Sequence, residues 1–107
     1  MCANVNHMKA TLETKHSVMT LLRQSGYALL GQDQNTGEFS FAKRAGGGDY
    51  PRFHAYVKKE GGTIHINLHL DQKKPSYSGS HAHNAEYEGE ILEEEMKRIN
   101  LALQSLK

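Results

Sequence analysis

Pro51-Arg52-Phe53-His54-Ala55-Tyr56-Val57-Lys58-Lys59-Glu60-Gly61-Gly62-Thr63-Ile64-His65-Ile66-Asn67-Leu68-His69-Leu70-Asp71 is the stretch on which the fold turns. In its first half Phe53, Ala55 and Val57 alternate with Arg52, His54, Tyr56 and Lys58. In its second half Ile64, Ile66, Leu68 and Leu70 alternate with His65, Asn67, His69 and Asp71. A period of two marks a strand buried on one face only. Gly61-Gly62 between the halves fits a two-residue hairpin turn, because such turns need positive φ at a central position. Counting back from that turn fixes the register: Lys58 faces His65, Tyr56 faces Asn67, His54 faces His69 and Arg52 faces Asp71. All eight side chains then lie on the polar face.

Working outward, two more strands precede this hairpin. Residues 27–33 begin with Tyr27-Ala28-Leu29-Leu30-Gly31, and residues 38–44 read Glu38-Phe39-Ser40-Phe41-Ala42-Lys43-Arg44, with Phe39 and Phe41 inward. Asp33-Gln34-Asn35-Thr36-Gly37 joins them by turn chemistry, with Gly37 at the left-handed position of a loop of about three to five residues. Ala45-Gly46-Gly47-Gly48-Asp49 leads back into the central hairpin, so strands at 27–33, 38–44, 51–59 and 63–71 form an antiparallel meander.

Helices are expected at both ends. Val5, Met8, Leu12, Met19 and Leu22, widened by Val18 and Leu21, recur at helical spacing over 5–25, with Asn4 or Asn6 as cap and Gly26 as the stop. Leu92, Met96, Ile99, Leu103 and Leu106 make an apolar seam over 87–106, with Asn84 as cap. Gly89 weakens the first turn by about 1 kcal/mol relative to Ala, which favours a start near Glu90. The early glutamates and the later Lys97, Arg98 and Lys107 complement the helix dipole. Met8, Met19 and Met96 read as core filler. The expected fold is α+β: one domain over 1–107, ordered α-β-β-β-β-α, with both helices on the apolar face of a four-stranded sheet. Residues 72–85, rich in turn formers, form a long loop of the kind that is functional or disordered.

Thirteen basic and twelve acidic residues leave a net charge of +1, so no global field draws the protein to nucleic acid or membrane. The imbalance is local. Lys43, Arg44, Arg52, Lys58 and Lys59 crowd one block against Asp49 alone, while six glutamates fill 85–95. The one cysteine, Cys2, can form no internal disulfide, and no apolar run has the length of a membrane span or signal-peptide core. A soluble, cytoplasmic protein is the expectation.

Five of the seven histidines lie between Tyr50 and His83. Arg52, His54, His69 and Asp71 meet at the hairpin end away from the turn, and the following loop brings Lys73, Lys74, His81 and His83 from that end. Imidazole and carboxylate ligands suit a divalent metal, zinc first, and three protein ligands with an open position would make a hydrolytic site. Residues four apart on a strand are about 13 Å apart, so His65 and His69 cannot share an ion. His54 and His69 can, with Asp71, His81 or His83 completing the set. The plainer reading is that these histidines only pair with polar neighbours.

The same face reads equally as a site for an anionic ligand, through Arg52, His54, Tyr56, Lys73 and Lys74. As an RNA-binding module it would use Arg44, Arg52, Lys58, Lys59, Lys73 and Lys74 on phosphates and Tyr50, Tyr56 and Tyr77 on bases. As a small ribonuclease, His54 and His69 would be general base and acid, with Arg52 or a lysine stabilising the phosphorane. Triple glycine at 46–48 lacks the lysine and following helix of a phosphate loop. A protein-interaction module or homodimer would use an open sheet edge, the first or fourth strand. Metal or anionic ligand leads this ranking, and the sequence decides neither the ligand nor catalysis.

Overall fold

The computed structural model describes residues 7–46, 48, 51–71 and 85–106, the side chains of 85–88 excepted. The chain is α+β, a five-stranded antiparallel sheet with two helices: β1 (His7–Glu13), α1 (Val18–Gln24), β2 (Ala28–Gln32), β3 (Phe39–Arg44), β4 (Arg52–Glu60), β5 (Thr63–Asp71) and α2 (Ala85–Ser105). The strand order is β1-β5-β4-β3-β2. Four strands form the expected meander, and the fifth is a correction.

That fifth strand occupies the first half of the expected helix 5–25. Met8, Ala10 and Leu12 face inward while His7, Lys9, Thr11 and Glu13 are exposed, a period of two that coincides with helical spacing at Met8 and Leu12. The partner decides between the two periods. β5 would otherwise be an open nine-residue edge, and pairing Leu12 with Ile64, Ala10 with Ile66 and Met8 with Leu68 closes it. The fourth strand of the meander is therefore interior, and the sheet edges are β1 and β2.

The helix proper is short and begins where Ser17 caps it, its Oγ accepting from the Thr20 N–H at 3.1 Å. It stops at the expected glycine. Tyr27 N–H reaches Leu22 O at 2.9 Å and Gly26 N–H reaches Arg23 O at 3.0 Å, with Gly26 at φ 94°. This double bond pattern is the Schellman closure, and it needs a residue free of Cβ crowding at that φ. Between β1 and β2, α1 carries the chain from one sheet edge to the other across the apolar face.

The central hairpin has the register obtained by counting: Arg52 opposite Asp71, His54 opposite His69, Tyr56 opposite Asn67, Lys58 opposite His65. Only Gly61 of the turn pair has positive φ, 62°, which is the type II′ arrangement. At the other loop Gly37 takes φ 81°, and Asp33 accepts from the Asn35 and Thr36 amides at 2.8 and 3.2 Å.

Both helices bury their apolar stripes on the same face. Val18, Leu21, Leu22, Leu92 and Ile99 meet Phe41, Phe53, Ala55, Val57, Ile64, Ile66, Leu68 and Leu70 in one core. Each large aliphatic side chain there contributes roughly 1.5–3 kcal/mol of burial. α2 runs through Gly89 instead of starting at Glu90. Packing of its seam outweighs a penalty of about 1 kcal/mol at one glycine. No described helix is long and apolar enough to cross a membrane.

Candidate functional site

With both helices on one side, the other side of the sheet is an open polar face laid out in rows by the strand register. Nearest the end where the chain leaves β5, Arg44, Arg52 and Asp71 align. In the next row Ala28, Ala42, His54, His69 and His7 align across all five strands. Then come Ser40, Tyr56, Asn67 and Lys9, and after them Lys58, His65 and Thr11.

The histidine row forms a contact chain of rings. His7 stacks on His69 with centroids 5.6 Å apart, the edge of the Tyr56–His69 pair closes at 5.3 Å, and His54 stacks on Tyr56 at 5.7 Å. His54 is 16% exposed, its Nδ1 3.4 Å from Asp71 Oδ2. Arg52 Nε approaches the same oxygen at 3.6 Å. Asp71 thus sits between a guanidinium and an imidazole.

Burial, and the neighbouring His7 and His54 rings, push the His69 pKa below the ordinary histidine value, and Asp71 opposes them only in part. Protonating His69 places a charge in a partly desolvated spot beside two other imidazoles.

Of the sequence-derived candidates, Arg52, His54, Tyr56, His69 and Asp71 come together as expected. Lys73, Lys74, His81 and His83, with Tyr50 and Tyr77, lie outside the described residues. Among the described residues no three His, Cys, Asp or Glu side chains form a group that could hold a metal ion. His54 and His69 face each other, but His54 turns Nδ1 to Asp71.

His7 falls within the expected helix 5–25 but lies on β1, exposed and stacked on His69. The alternation through 7–13 was the available signal, and the period shared by Met8 and Leu12 masked it. His16, assigned to the same helix, lies in the bend before α1, where its carbonyl accepts from Lys59 Nζ at 2.8 Å.

A second polar cluster, on the helical side, was also missed. Glu95 is 5% exposed. It accepts from Tyr27 OH at 2.7 Å, Lys43 Nζ at 3.2 Å, and Arg98 Nε and Nη2 at 3.0 Å each. Arg98 also donates to Ser25 O at 2.9 Å, so it serves the turn after α1 and not the end of its own helix. Burial alone would raise the Glu95 pKa, but the bonds from Arg98 and Tyr27 and the Lys43 charge bring it below the usual carboxylate value. Burial and the same carboxylate push the Tyr27 phenol up. The signal for Glu95 was its position: three after Leu92 and four before Ile99, it stands inside the apolar seam.

The chain matches no family model and no curated relative.

Proposed function

We propose that the end of the open sheet face around His54 and His69 binds an anionic ligand. The observation that carries this reading is the ring chain His7, His69, Tyr56, His54, bordered by Arg52 and, among the described residues, by one carboxylate, Asp71. Imidazoles gathered on one surface repel as they gain protons, and a bound oxyanion converts that repulsion into attraction. The groups around His69 are His7 from β1, His54 and Tyr56 from β4, and Asp71 from its own strand.

Sulfate is the clean probe, because it keeps its charge across the histidine range. Calorimetric titration is expected to show tighter sulfate binding near about pH 5.5 than near about pH 8. The His54→Ala/His69→Ala double variant is expected to lose at least about tenfold in affinity. Equal affinity in the double variant would overturn the reading. A divalent ion on this face would need a third ligand from His81 or His83 beside His54 and His69. Elemental analysis of the purified protein, with a melting curve with and without chelator, tests that alternative.

A further inference from the structure

Two depressions adjoin on the open face, and Tyr56 is the wall between them. One is lined by His54, Tyr56, His69 and Asp71. The other, of about 410 Å³, is lined by Lys9, Thr11, Tyr56, Lys58, His65 and Asn67 among others. That volume falls in the range of small-molecule sites, roughly 300–1,000 Å³.

The second depression differs from the first in charge. Its lysines, Lys9 and Lys58, are matched by Glu38 and Glu60 on the same rim. Glu60 stands 3.5 Å from Lys58 Nζ and 3.5 Å from His65 Nε2. A neutral, hydrogen-bonding part of a ligand belongs there, and its negative part belongs at the histidine end.

Asn67 names the kind of neutral part. Its Oδ1 is shielded from solvent and accepts no hydrogen bond. An orphaned acceptor of this kind is destabilising, and folding normally removes it. Asn67 lines the groove, and its amide carries an acceptor and a donor side by side. A nucleobase edge presents the matching pair. Tyr56, next to Asn67 across the strands, offers the ring on which a base stacks. His54 lies two residues from Tyr56 along β4 with ring centroids 5.7 Å apart, so a phosphate at the imidazoles and a base at Tyr56 are neighbours.

We propose that the ligand of this face is a nucleotide unit, its phosphate held by His54, His69 and Arg52 and its base set between Tyr56 and the amide of Asn67. This rests on the anion reading above and adds the base. A free mononucleotide and a single-stranded RNA share this chemistry, and a short oligonucleotide separates them.

The test titrates the intact protein near about pH 6 with sulfate, ribose phosphate, ribonucleoside monophosphates and a single-stranded hexaribonucleotide. Nucleoside monophosphates are expected to bind about tenfold tighter than ribose phosphate, and Asn67→Ala to remove that gain while sulfate affinity holds. Because the amide oxygen has no partner, Asn67→Ala is expected to melt at or above the wild-type temperature, and Tyr56→Leu provides a second route to the same loss of base affinity. A larger gain for the hexamer, with the same Asn67 dependence, identifies the unit as part of a strand. Nucleotides no tighter than ribose phosphate, with sulfate still bound, would overturn the base and leave the anion site. No binding of any probe would overturn both.

Discussion

Glu95 and His69 lie on opposite sides of one sheet and treat the same problem, charge near a protein interior, in opposite ways. Glu95 has both oxygens engaged, by a phenol, an ammonium and a two-pronged guanidinium. His69 has other imidazoles for neighbours and only partial relief from Asp71. A fully partnered buried charge locks α2 to β3 and to the start of β2. On the other face Asp71 is the one carboxylate acting on His69 and no described helix packs there, which is what the ligand proposal rests on.

The sharpest way to break this comparison is to remove the carboxylate. Glu95→Ala leaves Tyr27, Lys43 and Arg98 without their common acceptor, and stability is expected to fall by about 2–3 kcal/mol, less than the roughly 3–5 of a fully buried pair because Lys43 and Arg98 keep some contact with water. A urea unfolding midpoint measures it. Sulfate binding by the folded variant is expected to be unchanged. A loss of binding at constant fold would make the Glu95 cluster part of the site and end the division between the two faces.

Most of the architecture was legible in the sequence because local signals and packing agree there. Gly61, Gly37 and Gly26 each sit where a positive φ is needed, and alternation in 52–58 and 63–71 about the Gly61-Gly62 turn admits one register. Alternation failed for residues 7–13, where Met8 and Leu12 satisfy both periods and only the open edge of β5 chooses. That one choice also hid His7, because a residue's partners on a sheet edge come from a strand more than fifty positions away. The site was legible within the hairpin, where the turn fixes which residues face each other. Glu95 was hidden differently. Six glutamates in one run read as a solvated helix face, and the identity of its partners at 27 and 43 depends on the tertiary fold.

Acid separates the two regions more gently. The His69 pKa is lowered in the folded chain, so the unfolded chain binds the proton more tightly, and stability falls as the pH drops through the ordinary histidine value of 6.5 toward the folded value. Glu95 also has a lowered pKa, and its contribution, present above its ordinary value of 4.5, is lost as the pH falls through the folded one. The first decline therefore comes at milder acidity than the second. Melting curves across this range are expected to show it in the wild type and to lose the milder step in His69→Asn. Saturating sulfate is expected to flatten that step, because an anion favours the protonated cluster. A milder step that survives in His69→Asn would assign it elsewhere.

The smallest expected effect tests whether the histidine side contains a hidden structural lock. Arg52 and Asp71 are the nearest counterpart to the Glu95 cluster, but both are about one-third exposed and stand 3.6 Å apart. At that exposure water screens the attraction, and a double-mutant cycle with Arg52→Ala and Asp71→Ala is expected to give a coupling of about 0.2–1 kcal/mol. Asp71 also faces His54 at 3.4 Å, so removing Arg52 shifts the carboxylate toward the imidazole and lowers the coupling further. A coupling near about 3 kcal/mol would place the pair with buried, fully engaged charges. The histidine face would then be held together as tightly as the helical one, and the proposal that a ligand binds there would lose its contrast with the Glu95 side.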